Sequence, residues 1–284
     1  MGNFILLTFL VLTQVMGDIL LGLAMNKFKT GNLFDLSGFW SLITYLVTSP
    51  WIWLGVITLV ISLLLYYVAV SRLDLSFVLP ILASNYILNA LLAWLILDEK
   101  VSPLRWIATL VITVGVFIVT INKTRQTRQK FSSAVKNKFK SWVNFGLFAL
   151  LPFSFSLSPT WSFILIIAVA DGFGDLFNAK GMKQIGEVQF ESFSHLLEVG
   201  KQVITNHWIL LGITGQTIAF FSFVSALSLA DISFVRPATA LTYAISLVGA
   251  HFMLKEKIGW GRLVGIIVVG IGIILIDLDK GSSV

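Results

Sequence analysis

"DLSFVLP" at residues 74–80 and "DISFVRP" at residues 231–237 are one phrase written twice. Each copy opens an apolar run and carries a proline inside it. The same offset that lays Asp74 on Asp231 aligns most of each half of the chain without a gap. Gly17-Asp18 falls on Gly174-Asp175, and Trp51-Ile52 on Trp208-Ile209. Tyr86 meets Tyr243, Glu99-Lys100 meets Glu256-Lys257, Arg105 meets Arg262, and Gly115 meets Gly272. Chance matches Leu with Ile in any two apolar runs. It does not match Asp, Pro, Tyr, Glu-Lys and Arg in one register, so the chain is an internal duplication.

Composition says what was duplicated. The 284 residues are 57% hydrophobic and 12% charged, with a mean hydropathy of +0.91. A soluble domain of this length needs more polar surface than that. Uncharged runs of about twenty residues recur, the length that crosses the hydrocarbon of a bilayer. The expected protein is an all-α integral membrane protein of the bacterial inner (cytoplasmic) membrane. Cysteine is absent, which removes disulfides, thiolate metal sites and thiol chemistry. No metal, cofactor or nucleic acid is expected, and the basic balance of +6 reports orientation instead. The N-terminus lacks the basic flank and small-x-small site of a cleaved signal, and Leu6 stands where myristoylation needs Ser or Thr.

Each half holds four apolar segments, at 4–25, 51–70, 76–97 and 104–121, then at 161–179, 208–229, 232–254 and 259–278. Between the first two segments of each half lies a less apolar stretch with helical spacing. Phe190, Phe193, Leu197 and Ile204 mark it in 188–204, and Leu36, Trp40, Ile43 and Val47 in 33–47. Both read as short helices lying in the membrane interface. Residues 123–140 carry seven Lys or Arg and no acid, which marks the cytoplasmic side. With that side fixed, Arg72 lies inside, and Lys27, Lys29, Lys100 and Arg105 outside. In the second half the bias reverses: Lys183, Lys201, Lys255, Lys257 and Arg262 share one side and Lys280 the other. The second half is therefore expected upside down, which needs one extra crossing. "SWVNFGLFALLPFSFSLS" at 141–158 is apolar enough to make it. The expected plan is a first four-helix repeat over 1–122, a basic loop plus linker helix over 123–160, and a second repeat over 161–284. That gives about nine membrane helices in two inverted repeats. Eight helices in parallel repeats is the alternative.

"QVMGD" (14–18), "DLSFVLPILASNYILNALLAWLILDEKVSP" (74–103) and the glycine-bearing fourth segment resemble the drug/metabolite transporter superfamily. Its small multidrug resistance proteins and aminoarabinose–undecaprenyl-phosphate flippase subunits are similar, and EamA-type domains are larger cousins. "LP…SNY" around Pro80 to Tyr86 and "EKVSP" at Glu99 to Pro103 look most like the flippase subunits. The resemblance implies a transporter, not an enzyme. It also implies a single chain that holds both members of an antiparallel dimer and acts as a monomeric, fused pseudo-dimer. The superfamily's cation-binding carboxylate maps onto Gln14 in the first half and Asp171 in the second. The first copy thus departs from the drug-exporting pattern.

The residues themselves point to a polar centre. Asp171 and Asp175 are four apart and share one helix face with Asn178; Gln14 and Asp18 are the equivalent pair. A charge at mid-bilayer costs about 2.5 kcal/mol or more, so each acid should face a cavity or a partner. Gly172 and Gly174 leave room beside them. Arg236, which stands where the first half has Leu79, is expected to pair with Asp171 or Asp175 or to bind a substrate anion. Simple snorkelling to the interface is the plainer reading of Arg236, and of Lys180. Asn85, Tyr86 and Tyr243 complete the candidate site, and Pro80 and Pro237 are expected to bend their helices. "GFGD" at 172–175 matches a short pattern of intramembrane aspartyl proteases, but the Tyr-Asp and Pro-Ala-Leu signatures of such enzymes are missing. The expected activity is secondary transport of a small metabolite or amphipathic compound by alternating access, coupled to protons. The alternative is a flippase for a lipid-linked or phosphorylated headgroup. Membrane lipids and that substrate are the expected partners.

Overall fold

A computed structural model describes residues 2–28, 35–125, 158–188, 193–253 and 260–280. Among these residues the regular structure is helical. Lipid offers no hydrogen bonds, so an apolar chain in it must satisfy its own backbone. In the first half the helices are α1 (Asn3–Met25), α2 (Leu36–Thr48), α3 (Pro50–Arg72), α4 (Leu75–Leu82), α5 (Ser84–Ile96) and α6 (Pro103–Arg125). In the second they are α7 (Pro159–Ile185), α8 (Phe193–Thr205), α9 (His207–Leu227), α10 (Ile232–Ala238), α11 (Leu241–Met253) and α12 (Trp260–Lys280).

Local chemistry sets the boundaries. Pro50 and Pro159 open α3 and α7, where the missing N–H is no loss. The Ser158 side chain caps α7 at Trp161 N, and Asn206 caps α9 at Trp208 N and Ile209 N. Gly186, at φ 96, ends α7 in a conformation that suits only glycine well. Among the described residues four helices, α1, α3, α7 and α9, are long and apolar enough to cross a membrane. Their outward faces carry exposed Phe9, Leu12, Ile57, Val60, Ile218 and Phe221, as lipid-facing surfaces do. The third apolar segment of each half is one run in sequence but two helices in space. It breaks at Ala83 in the first half and at Thr239-Ala240 in the second, three residues beyond Pro80 and two beyond Pro237.

The repeat holds at the level of packing. In the first half Gly17 lies against Gly55 and Leu59; in the second Gly174 lies against Gly212 and Gln216, the equivalent positions. A Cβ on Gly115 would meet Val269 N at 2.8 Å and Gly265 O at 2.9 Å, while one on Gly272 would meet Ala108 O at 3.1 Å and Ile112 N at 3.1 Å. These contacts are reciprocal, and numbers rise on α6 as they fall on α12. The two fourth helices therefore pack antiparallel, closely enough to need glycine. The third segments cross likewise: α5 touches α10, and α4 touches α11.

Polar clusters tie the halves at two ends. At one, the Glu99 carboxylate accepts from Ile232 N and Ser233 N, both at 3.0 Å. Burial pushes that carboxyl above the ordinary range, with the Ser233 bonds opposing. Arg105 binds Asp279 at 2.9 Å, Ser233 at 2.9 Å and Asp231 at 3.2 Å; within the second half, Trp161 Nε1 donates to Asp277 at 2.6 Å. At the other end, Arg72 donates to the Val188 carbonyl and Lys183 faces Asp74 at 3.8 Å. The expected linker helix at 141–158, apart from Ser158, most of the basic run at 123–140 and the loop at Lys255–Lys257 lie outside the described residues.

Candidate functional site

A cavity of about 360 Å³ lies between the halves. Its walls come from equivalent positions: Leu10 and Ile167, Gln14 and Asp171, Asp18 and Asp175, Leu59 and Gln216, Asn85 and Thr242, Tyr86 and Tyr243. The cavity therefore sits on the axis that relates the two copies, and its size is that of a small-ligand pocket. The shape is nearly symmetric while the chemistry is not.

In the first half Asp18 is 1% exposed. Its Oδ2 accepts from Arg236 Nε at 2.6 Å and its Oδ1 from Arg236 Nη2 at 2.8 Å. Asn89 Nδ2 adds a third bond, to Oδ2 at 3.0 Å. The guanidinium lies over the Phe223 ring, 4.9 Å from its centre. This corrects the expected pairing: Arg236 binds Asp18 of the other half, not Asp171 or Asp175. The cause is the break after Pro237, which leaves α10 as a short piece packed on α5 and α1.

The two cavity acids of the second half are held differently. Asp175 is buried and meets the Gln216 amide at 3.4 Å, with the Tyr66 hydroxyl beside it. Asp171 is half-buried on the cavity wall. Among the described residues neither makes an ion pair. Asn85 Oδ1, Gln216 Oε1 and Thr242 Oγ1 are buried in the same wall without protein partners, so they have hydrogen-bonding capacity left for a guest.

Eight of the nine candidate residues line this cavity: Gln14, Asp18, Asn85, Tyr86, Asp171, Asp175, Arg236 and Tyr243. Asn178 does not. It packs on Gly212 of α9 and accepts from the hydroxyl of Tyr67 on α3 at 3.2 Å. Lys180 lies over the Trp208 ring at 3.4 Å. Sequence reasoning missed Tyr66, Asn89 and Gln216. Gln216 had a signal, since the repeat puts Leu59 at its equivalent; Asn89 and Tyr66 had only polarity within apolar runs.

A duplicated helical membrane protein with a polar cavity between its copies is built as a transporter. A model of the EamA-like transporter family matches residues 3–121 and 195–277, most of the chain, and the protein belongs to that family. It is an integral membrane transporter-family protein and not an enzyme. Over shorter stretches it is similar to proteins described as "Probable 4-amino-4-deoxy-L-arabinose-phosphoundecaprenol flippase subunit ArnE". One, from Pseudomonas savastanoi pv. phaseolicola, is 33% identical over 69 residues, 24% of this chain and 60% of the relative. Another, from Pseudomonas fluorescens, is 31% identical over 71 residues, 25% of this chain and 62% of the relative. The chain thus spans about three fifths of the length of these relatives. No solved structure matches it significantly.

Proposed function

We propose that this protein carries an amphipathic compound with a positively charged amine across the bilayer by alternating access, exchanging it for protons bound at Asp171 and Asp175. One observation carries the reading. Of the three acids in the cavity, Asp18 is already paired with Arg236, whereas Asp171 and Asp175 face the same space and make no ion pair among the described residues. Tyr66, Phe220 and Phe223 in the walls suit an organic cation. A cation and protons that compete for two carboxylates are exchanged, not carried together.

Alternating access needs two halves that trade conformations across the membrane midplane. The antiparallel packing of α6 and α12 supports an inverted pair, as does the charge bias of the loops. Inversion requires an odd number of crossings in between, and the apolar composition of 141–158 suits one. Reporter fusions within 123–140 and after Lys257 should both read cytoplasmic. A periplasmic reading after Lys257 removes the nine-helix plan.

The coupling is tested in proteoliposomes with a labelled long-chain alkylamine and an imposed pH gradient. Asp171→Asn and Asp175→Asn should each lower gradient-driven flux at least about tenfold, because an amide cannot cycle a proton. Unchanged flux and pH dependence in both variants removes the proton role.

A second reading, flipping of a lipid-linked or phosphorylated headgroup, is favoured by a gap in the wall. Helices α3 and α9 barely touch, and Val60 and Thr217 line the cavity while exposed on the outer faces of those helices. A headgroup in the cavity would send its tail through that gap into lipid. The relatives are named for such a substrate. Val60→Trp with Thr217→Trp should block a long-tailed substrate and spare a short one; equal transport of both removes this reading.

A further inference from the structure

The duplication places Leu79 where the second half has Arg236, so the shared scaffold does not demand a cation there. Arg236 and Asp18 come from opposite halves, and both line the cavity. Asp18 offers its two oxygens to Nε and Nη2. That edge of the guanidinium is the one that fits a carboxylate or a phosphate with two parallel bonds. The side chain of Arg236 keeps 14% of its surface exposed and that of Asp18 1%, so the arginine is the member of the pair that reaches the open space. Thr242 Oγ1, a hydroxyl able to donate to an oxyanion, lines the same cavity and has no partner among the described residues, and Asn89 holds Asp18 through its Nδ2.

We propose that Arg236 is an anion-binding residue of the cavity, for the oxyanion of a phosphodiester, and that Asp18 is its built-in counter-ion, released when it takes up a proton. The inference rests on the cavity being the transport site but not on any role of Asp171 or Asp175 in coupling. An anion entering beside an ionised Asp18 would set like charges together where the dielectric is low. A proton on Asp18 removes its charge and its two-point hold, and the freed edge of Arg236 passes to the guest. One proton then enters with each anion. The other groups that face the pair are Asp171 and Asp175 from α7, Tyr66 from α3, Tyr86 from α5 and Tyr243 from α11. None of them bonds Arg236. A substrate with an amine at Asp171 and Asp175 and a phosphodiester at Arg236 would satisfy both poles of the cavity.

The test is calorimetric titration of the full chain in nanodiscs with dimethyl phosphate and, separately, with short-chain phosphatidylglycerol. Both carry one fixed charge, so pH dependence belongs to the protein. For the parent the affinity should fall about tenfold per pH unit over the range in which one proton accompanies each anion. Asp18→Asn should bind at high pH at least as tightly as the parent does at low pH, with that slope gone. Arg236→Leu should not bind. Because that variant strands a buried carboxylate and can fail to fold, Asp18→Asn with Arg236→Leu, a neutral pair, is the control for folding and must also fail to bind. The proposal is overturned if Asp18→Asn keeps the parent's slope, if the neutral double variant binds like the parent, or if the parent binds neither probe at any pH. Binding of both probes, or of the lipid alone, supports the anion site and separates a free phosphodiester from a lipid headgroup as its source. Asp171→Asn should keep the slope even where it abolishes amine flux, so the two proposals fail independently.

Discussion

Asp18 and Asp175 occupy the same place in the two copies of the repeat. Each follows a glycine that packs on the next helix, and each faces the same cavity. Yet Asp18 holds a two-point ion pair and an amide bond, while Asp175 has a long contact to an amide and the Tyr66 hydroxyl beside it. The difference lies in the neighbours. Arg236 replaces Leu79, Gln216 replaces Leu59, and Asn89 stands where the second half has Ser246. A duplicated scaffold can thus keep its helix packing while a few substitutions on facing helices give equal carboxylates unequal work. One acid neutralises a cation supplied by the other half; its twin makes no ion pair among the described residues.

The largest expected effect falls on the paired side. Arg236→Leu leaves Asp18 buried without its cation, and unfolding in mixed detergent should show a loss of about 3–5 kcal/mol, less where Asp18 takes a proton. Combining it with Asp18→Asn should recover most of the loss, while combining it with Asp171→Asn should not. Stability equal to the parent's for Arg236→Leu would break the comparison outright.

Next come the glycines of the shared scaffold. Gly115→Ala and Gly272→Ala should each cost about 1–3 kcal/mol, because each Cβ enters the opposite fourth helix. Similar costs for the two would confirm that the frame is symmetric where the chemistry is not. A loss at one alone would place part of the asymmetry in the frame.

On the unpaired side the effect moves from stability to flux. Asp175→Asn should unfold within about 0.5 kcal/mol of the parent, since no ion pair is broken, yet fail in gradient-driven transport. A stability loss as large as that of Arg236→Leu would mean that Asp175 has a partner as firm as that of Asp18. The smallest change expected is in Gln216→Leu, which removes one contact at 3.4 Å and should cost about 1 kcal/mol or less in the same unfolding measurement.

Much of this molecule was legible before any coordinates. Length of apolar run, charge-free composition and the repeated Asp, Pro, Tyr and Glu-Lys positions are local or register properties, and they fixed the class of fold, the two halves and eight of the cavity residues. An interruption of each third segment was expected from its proline; the helices run through Pro80 and Pro237 and break three and two residues beyond them. Gln216 was missed, although it departs from the repeat at a position whose partner is Leu59.

The partner of Arg236 was not legible. Asp18, Asp171 and Asp175 all stood within reach on the pattern, and the two of the second half were nearer in sequence. Only the packing of α10 against α1 and α5, across the axis between the halves, brings Arg236 to Asp18. The same holds for Asn178, which shares a helix face with the acids on paper but is turned against Gly212 in the fold. Periodicity tells which side of a helix a residue occupies. Which neighbour covers that side depends on how helices from distant parts of the chain cross, and that is settled by the close approach of their glycines and by the broken third segments acting together.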